Sequence, residues 1–140
     1  MKKAKDDITL TKAEMEIMNY LWDMGDEGGS VRDVLARYPE PVPAYTTTAT
    51  FLKILTEKGF VRSEKRENEG KTLFFVPVIS RNEYRSRVMN EVKDNYFGGS
   101  FRSLVSFFIK EEKISPEEMN EIMKMVSSPQ PPKGGAIRAN

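Results

Sequence analysis

The residues best suited to chemistry lie in the segment AYTTTATFLKILTEKGFV, residues 44–61. Its apolar spacing predicts a helix with one hydrophobic side. The other side carries hydroxyls and a cation: Tyr45, Thr46, Thr47, Thr50 and Lys53. A threonine hydroxyl can bond a phosphate or a base edge, and its methyl group can pack on the thymine methyl. The pattern indicates a helix that contacts DNA, and the alternative is that Thr46 or Thr47 only caps the helix.

The composition excludes several other chemistries. The chain of 140 residues has no cysteine and no histidine, which removes disulfides, thiolate nucleophiles, Cys/His zinc sites and imidazole bases. Its other polar residues form no recognisable catalytic constellation, so we predict neither an enzyme nor a cofactor. No run approaches the ~18–20 apolar residues of a membrane span, and the N-terminal MKKAKDDITLTKAE lacks the apolar stretch of a signal peptide. We therefore expect a cytoplasmic protein without direct membrane insertion.

Capping boxes mark the helix starts along the chain. In each box a Ser or Thr precedes an acidic residue by three positions, so that each side chain can bond the backbone N–H of the other. The pairs are Thr11 with Glu14, Ser30 with Asp33, Ser80 with Glu83, and Ser115 with Glu118. In the first half, apolar spacing predicts helices over residues 12–24, 31–38 and 45–58, followed by strands over residues 60–66 and 72–78 that form a hairpin.

This order of elements is typical of a winged helix-turn-helix. In that fold the helix before the hairpin lies in the major groove and the hairpin contacts the flanking backbone. We therefore predict a mainly α fold with a small β-hairpin (α+β), in which residues 1–79 form the DNA-binding domain. The net charge of +1 offers no general attraction for DNA, so binding requires a local cationic patch. In the hairpin the candidate DNA contacts are Arg62 and, at the end of the turn, Lys71.

Residues 80–126 are predicted to form a helical dimerisation domain. Its apolar stripes supply the candidate interface residues Tyr84, Val88, Phe101, Leu104, Val105, Phe108 and Ile122. A segment of about 45 residues seldom closes a core alone, so the stripes must pack against something else. A second copy would give a homodimer that places two recognition helices on a palindrome, and the alternative is packing onto the first domain as one larger monomer. The composition of residues 127–140, rich in proline and glycine, predicts a disordered tail.

Several blocks of the chain carry a family resemblance. They are LTKAEMEIMNYLW, AYTTTATFLKILTEKGFV, GKTLFFVPVISRNEY and YFGGSFRSLVSFFIKEEKISPEEMNEI, and they resemble the BlaI/MecI penicillinase-repressor family from about Ile8 to Val126. The resemblance implies a homodimeric transcriptional repressor that binds a palindromic operator of antibiotic-resistance (β-lactamase type) or related stress genes. It also implies a membrane-bound sensor metalloprotease as partner, which detects a β-lactam and cleaves the repressor in its C-terminal domain. Weaker dimerisation after cleavage then lowers operator affinity.

The chain departs from the pattern of that family at several positions. Basic residues of the family's recognition helix are matched here by Thr46 and Ala49, and Pro43 stands where the family often has Trp. The family's Asn-Phe cleavage bond is matched by Phe107–Phe108, which is the candidate cleavage bond here. The absence of cysteine excludes the copper-responsive branch. Near-neutral charge and the missing basic residues leave an alternative function, a winged-helix adaptor that binds a protein partner without DNA readout.

Overall fold

The computed structural model describes residues 9–127, and its elements follow the predicted order with one strand added. They are helix α1 (Lys12–Asp23), strand β1 (Gly29–Ser30), helices α2 (Val31–Leu35) and α3 (Tyr45–Glu57), strands β2 (Val61–Glu64) and β3 (Phe74–Pro77), and helices α4 (Arg81–Tyr96), α5 (Phe101–Glu111) and α6 (Pro116–Ser127). The predicted mainly α fold with a small antiparallel sheet is confirmed. The predicted tail differs at its first residue, because Ser127 ends α6, and residues 128–140 lie outside the described residues.

Local hydrogen bonds explain where several helices begin. The N–H of Glu14 donates to the Thr11 hydroxyl at 3.2 Å, and the N–H of Thr11 donates to the Glu14 carboxylate at 2.9 Å. Equivalent pairs of bonds form at Ser30–Asp33, Ser80–Glu83 and Ser115–Glu118. These bonds satisfy backbone N–H groups that a helix leaves without a partner in its first turn. The predicted capping boxes are therefore confirmed.

The β-sheet has three strands, where the sequence predicted a two-stranded hairpin. Strand β3 lies in the middle and pairs antiparallel with β2 on one side and with the short β1 on the other. The sequence did not indicate β1 because Gly29 and Ser30 have little strand propensity. Gly28 permits the pairing, since its φ is +63° and a Cβ there would overlap the carbonyl oxygen of Phe75. Because α2 begins at the next residue, β1 holds the start of α2 beside the sheet.

The hydrophobic core joins α1, α2 and α3 to the sheet. Its most buried apolar side chains, each at most 2% exposed, are Ile17, Met18, Leu21, Val34, Leu52, Leu55, Phe60 and Val61. Those of the helices recur every three or four residues, which places them on one side of each helix. In α3 this buried side also includes Thr48. The opposite side of α3 is left to the solvent, as the sequence predicted.

The chain divides into two compact units, Met1–Glu91 and Val92–Asn140. The sequence predicted a boundary after residue 79, whereas this division falls inside α4. Polar contacts attach the start of α4 to α1. The Arg81 guanidinium donates to the Asp23 carboxylate at 2.9 Å, and the Trp22 indole N–H donates at 2.9 Å to the carbonyl of Ile79, just before α4. The first turns of α4 therefore belong to the same unit as the winged helix.

Tyr84 is the main reason for this assignment of α4. It was predicted for dimerisation, and it is instead a core residue of the first unit, only 6% exposed. The N–H of Leu10 donates to its hydroxyl at 2.8 Å. Its ring centroid lies 5.7 Å from that of Phe60 and 6.0 Å from that of Trp22. The ring of Tyr84 is packed and its hydroxyl is hydrogen-bonded inside the first unit, so little of its surface is left to contact a second copy.

The second unit leaves much of its apolar surface uncovered. Leu104 is buried, and the ring of Phe107 lies 5.4 Å from each of the rings of Phe97 and Phe108. Several other side chains are at least 40% exposed: Phe101, Val105, Ile122, Met123, Met125 and Val126. In the part of the chain that the structure describes, no helix combines the length and the apolar character needed to cross a membrane.

Candidate nucleic-acid interface

Helix α3 exposes the hydroxyls of Thr46, Thr47 and Thr50 and does not use them as caps. The N-cap residue is Ala44, which makes no side-chain capping bond. Thr46 and Thr47 lie inside the helix, so the capping alternative is wrong. The predicted outward residues Tyr45, Thr46, Thr47, Thr50 and Lys53 are all exposed. Among residues 9–127, no hydrogen bond to another side chain or backbone group occupies the hydroxyls of Thr46, Thr47 or Thr50.

The exposed part of α3 divides into two neighbouring faces. One, the threonine face, consists of Thr46, Thr47 and Thr50. The other consists of Tyr45, Ala49 and Lys53, which recur every four residues and line a groove beside the helix. Lys53 lies three residues after Thr50 and four residues after Ala49, so it is next to both faces.

The groove separates α3 from the wing, which we define as β2, β3 and the turn that joins them. It has a volume of about 600 Å³. Its apolar lining is Val31, Ala49, Leu73 and Phe75. Its polar lining is Ser30, Arg32, Tyr45, Lys53, Thr56, Glu57, Ser63, Lys71 and Thr72. The fold therefore brings the predicted contacts Tyr45, Lys53 and Lys71 into one site, although Lys71 is distant in sequence.

The groove lining is cationic. Arg32, Lys53 and Lys71 share it with one carboxylate, that of Glu57. Within the described ranges, none of these three cations forms an ion pair with a carboxylate of the protein. Glu57 is the last residue of α3, so its negative charge lies at the end of the helix opposite to Tyr45. This is the local cationic patch that DNA binding requires in a chain with a net charge of only +1.

Arg32 is the lining residue that the sequence did not indicate. It lies in α2, and its guanidinium carbon is 5.4 Å from the centroid of the Tyr45 ring at the start of α3. That distance is within the ~6 Å of a cation–π contact. No sequence signal marks this pair, because an arginine in a short helix is usually only a solvated side chain. Only the packing of α2 beside α3 brings the two residues together.

Arg62, the other predicted contact in the wing, lies outside the groove lining. Side chains alternate along β2, so Ser63 lines the groove while Arg62 and Glu64 share the opposite face. The Arg62 and Arg66 guanidinium groups each donate to the Glu64 carboxylate at 2.7 Å. Hydrogen bonds from Arg62 and then from Arg66 hold the pKa of Glu64 below its usual value. Because Arg66 also donates to the carbonyl of Glu27 at 2.6 Å, this cluster braces the wing.

An ion pair between the buried carboxylate of Glu14 and the partly buried ammonium of Lys58 anchors the C-terminal end of α3. The Lys58 ammonium lies 3.0 and 3.1 Å from the two carboxylate oxygens of Glu14, which is only 3% exposed. Burial by itself raises the pKa of Glu14, but the N–H of Thr11 and the Lys58 ammonium outweigh burial, so the pKa is lowered from its usual 4.5. The pair joins α3 to the first turn of α1. Because Lys58 pairs with Glu14, its charge is not available to the candidate interface.

Comparison with known proteins identifies the group to which this winged helix belongs. The sequence model of the family described as "Penicillinase repressor" matches residues 10–128. The chain belongs to the penicillinase repressor family. The match includes the three helices and the wing of the first unit and continues through the helices of the second unit. The resemblance seen in the sequence blocks is thus confirmed.

Relatives from several bacteria align with most of this repressor-family chain. The penicillinase repressor of Bacillus licheniformis is 25% identical over 118 residues, which cover 84% of this chain and 88% of the relative. The penicillinase repressor of Staphylococcus aureus is 23% identical over 127 residues, covering 89% and 95% of the two chains. The methicillin resistance regulatory protein MecI of Staphylococcus aureus (strain N315) is 21% identical over 119 residues, covering 84% and 93%.

The residues predicted for dimerisation of this family member fall into two groups. Tyr84 and Val88 belong to the first unit, where Tyr84 is buried and Val88 packs against the core. The remaining candidates lie in the second unit: Phe101, Leu104, Val105, Phe108 and Ile122. Leu104 is 4% exposed and the others are at least 40% exposed. The exposed members give the second unit an apolar surface that its own helices do not cover.

Proposed function

We propose that this protein is a homodimeric transcriptional repressor that binds a palindromic operator of antibiotic-resistance (β-lactamase type) or related stress genes. One observation carries the proposal: a free threonine face lies directly beside a cationic groove on the helix that precedes the wing. Membership of the penicillinase repressor family supports the repressor role. With these two features together, double-stranded DNA is the ligand that the first unit fits best.

The two features suit different parts of the duplex. Threonine hydroxyls and methyl groups match base edges in the major groove, where thymine presents its methyl group and an acceptor oxygen. Lysine ammonium groups match phosphates, which supply most of the salt-dependent affinity. Thr46, Thr47 and Thr50 then distinguish sequences, while Lys53 and Lys71 hold the protein on the backbone. Arg62 contributes less, because Glu64 already shares its charge.

The exposed apolar residues of the second unit support a homodimer. A monomer in water would leave Phe101, Val105, Phe108 and Ile122 between 40% and 64% exposed, which is unfavourable for apolar side chains. An isologous contact between two copies would cover them and present two copies of α3. Half-sites about one helical turn of DNA apart, ~10 base pairs, would then form a palindrome. A dimer also explains how a unit with few cations reaches useful affinity, since two linked contacts reinforce each other.

Proteolysis in the second unit is the proposed way in which repression ends. The candidate bond Phe107–Phe108 lies inside α5, and both side chains are 44–45% exposed. A membrane-bound sensor metalloprotease, acting on a cytoplasmic repressor, would therefore need α5 to open locally before cleavage. Cutting α5 would remove Phe108 from the same helix as Leu104 and so weaken the dimer. Incubating the repressor with the protease and mapping the new N-terminus by mass spectrometry tests this bond.

The central experiment is a salt titration of operator binding. DNA fragments are first selected with the purified protein, and binding is then measured by fluorescence anisotropy on a selected fragment and on an unrelated duplex. We expect a sequence preference of at least about 10³-fold and a linear fall of log affinity with log salt concentration. Binding without sequence preference, or without a salt slope, would show that the threonine face does not read DNA.

A protein-interaction adaptor is the second candidate function. Its support is the near-neutral net charge and the presence of Thr46 and Ala49 where the family resemblance implies basic residues. The double substitution Thr47→Ala/Lys53→Ala separates the two functions. A dimeric repressor should lose at least about 100-fold in operator affinity, because one base-edge and one phosphate contact disappear from each of its two half-sites. An adaptor should keep its partner binding, and a thermal melt confirms that the variant is folded.

A further inference from the structure

The groove between α3 and the wing lies where one strand of a bound duplex would have to pass. One sugar–phosphate strand separates the major groove from the minor groove on either side of it. If α3 lies in the major groove and the wing contacts the flanking DNA, that strand must pass between them. The cationic groove is the space between these two elements.

We propose that this groove seats one sugar–phosphate strand and that Arg32 contacts a phosphate there. The inference rests on the proposed function, and it adds a binding residue from α2, outside the recognition helix and the wing. Arg32 is exposed and lines the groove, and no carboxylate among residues 9–127 neutralises it. A guanidinium in that state has several N–H donors free for a phosphate.

Tyr45 positions Arg32 for this contact. The Tyr45 ring, at the first residue of α3, lies 5.4 Å from the guanidinium carbon of Arg32. A cation–π contact restrains the guanidinium while leaving its N–H groups in the plane available for hydrogen bonds. Tyr45 is itself 48% exposed, so DNA could cover the ring and the guanidinium together. The pair forms one wall of the groove, opposite the wing.

The charges in the groove also indicate which end of it holds the strand. Glu57, the last residue of α3, places a carboxylate at one end of the lining. Arg32 and Tyr45 lie at the other end of α3, where the helix N-terminus is also favourable for a phosphate. A phosphodiester strand should therefore lie nearer to Arg32 than to Glu57. The threonine face, which begins at the same end of α3, is then beside the bases of that strand.

The test compares Arg32→Ala with Arg37→Ala on the full-length dimer. Arg37 is an exposed arginine just after α2 that is absent from the groove lining, so its removal changes the net charge equally. At about 0.1 M salt, Arg32→Ala should weaken binding by about 60-fold and lower the salt slope by about two, because the dimer loses one phosphate contact in each half-site and releases two counterions fewer. The factor should be the same on the selected operator and on an unrelated duplex. Arg37→Ala should change the affinity by less than about 2-fold and leave the salt slope close to that of the wild type. Thermal melts check that both variants are folded.

Conservative variants test the positioning role of Tyr45. Arg32→Lys should recover the salt slope, and Tyr45→Phe should weaken binding less than Tyr45→Ala does, because the ring remains. In a Tyr45→Ala background, Arg32→Ala should weaken binding by clearly less than about 60-fold, since the guanidinium is no longer held. Equal costs in both backgrounds would overturn the positioning role. An effect of Arg32→Ala equal to that of Arg37→Ala, or confined to the operator, would overturn the phosphate contact. Loss of salt-dependent DNA binding in the wild type would instead refute the proposed function itself.

Discussion

The two units of this protein are built from similar helices but differ in how they cover their apolar side chains. In the first unit, Ile17, Leu52 and Leu55 are at most 1% exposed. In the second, Phe101 is 64% exposed and Met125 is 74% exposed. Both units begin helices with the same capping chemistry, so the difference does not lie in helix formation. It lies in the sheet, which gives the helices of the first unit a surface on which to close.

This difference separates the tasks of the two units. A unit with a closed core can hold α3 and the groove in one geometry, which DNA readout requires. In the proposed dimer, the exposed apolar surface of the second unit contacts the other copy, so its contribution to affinity can be lost without unfolding the first unit. The proposed cleavage would act on the second unit. The comparison therefore predicts that damage to the two units has different consequences.

The largest effect should come from removing the second unit altogether. A fragment of residues 1–91 retains the whole core of the first unit, including Tyr84. We expect it to fold as a monomer with a cooperative melt. Its operator affinity should fall by about 10²- to 10⁴-fold, because the two half-sites are no longer linked. Circular dichroism and anisotropy measure the two quantities, and an unfolded fragment would contradict the closed core.

A charge on the exposed apolar surface of the second unit should break the proposed dimer and leave the first unit folded. Phe108→Asp would bury an unpaired carboxylate in the proposed interface, at a cost of about 3 kcal/mol or more, which corresponds to a dimer dissociation constant about 100-fold higher. Leu104→Asp should also give monomers, but Leu104 is buried within the chain, so it also destabilises its own unit. Ser106→Asp, at an exposed position of the same helix, is the matched control. Sedimentation velocity showing intact dimers for both Phe108→Asp and Leu104→Asp would refute the interface.

In the first unit, removing the ion pair between Glu14 and Lys58 should lower stability and change its pH dependence. Glu14→Gln should lower the free energy of unfolding by about 2 kcal/mol at neutral pH, because Lys58 loses its charged partner, while the Gln side chain can still accept the hydrogen bond from the Thr11 N–H. Because the pKa of Glu14 is lowered in the folded state, its contribution is present above the usual 4.5 and is lost as the pH falls through the lower folded value. Denaturant titrations from neutral to acidic pH should therefore give a flatter profile for Glu14→Gln than for the wild type. Glu16→Gln, on the exposed side of α1, controls for the change in net charge.

The smallest expected effect comes from the single carboxylate of the groove. Glu57→Gln should strengthen DNA binding by about 2- to 5-fold at low salt, because it removes repulsion of a nearby phosphate. The gain should shrink as salt is raised, and it should be similar on any duplex sequence. Glu67→Gln, at an exposed carboxylate outside the groove lining, is the control. Weaker binding by Glu57→Gln would show that the Glu57 carboxylate does not repel a bound phosphate.

Local features of the chain could be predicted because they depend on neighbours in sequence. The bounds of α3, the exposure of Thr46 and Thr50, and the capping boxes follow from residue types a few positions apart. The side-chain alternation of β2 also follows from sequence, since its period is two residues. Family membership was equally visible, because it is carried by whole blocks of sequence.

Residue types and their local spacing were thus enough to predict the helices, the hydroxyl-lined side of α3 and the family. Three other features became visible only in the folded chain: Gly29 and Ser30 add a third strand, Tyr84 belongs to the core of the first unit, and Arg62 pairs with Glu64 outside the groove. The same holds for the contact of Arg32 with Tyr45 beside Lys53 and Lys71. The physical reason is the same in each case. These contacts join residues from different elements, and their energies depend on packing that no local pattern of residue types records.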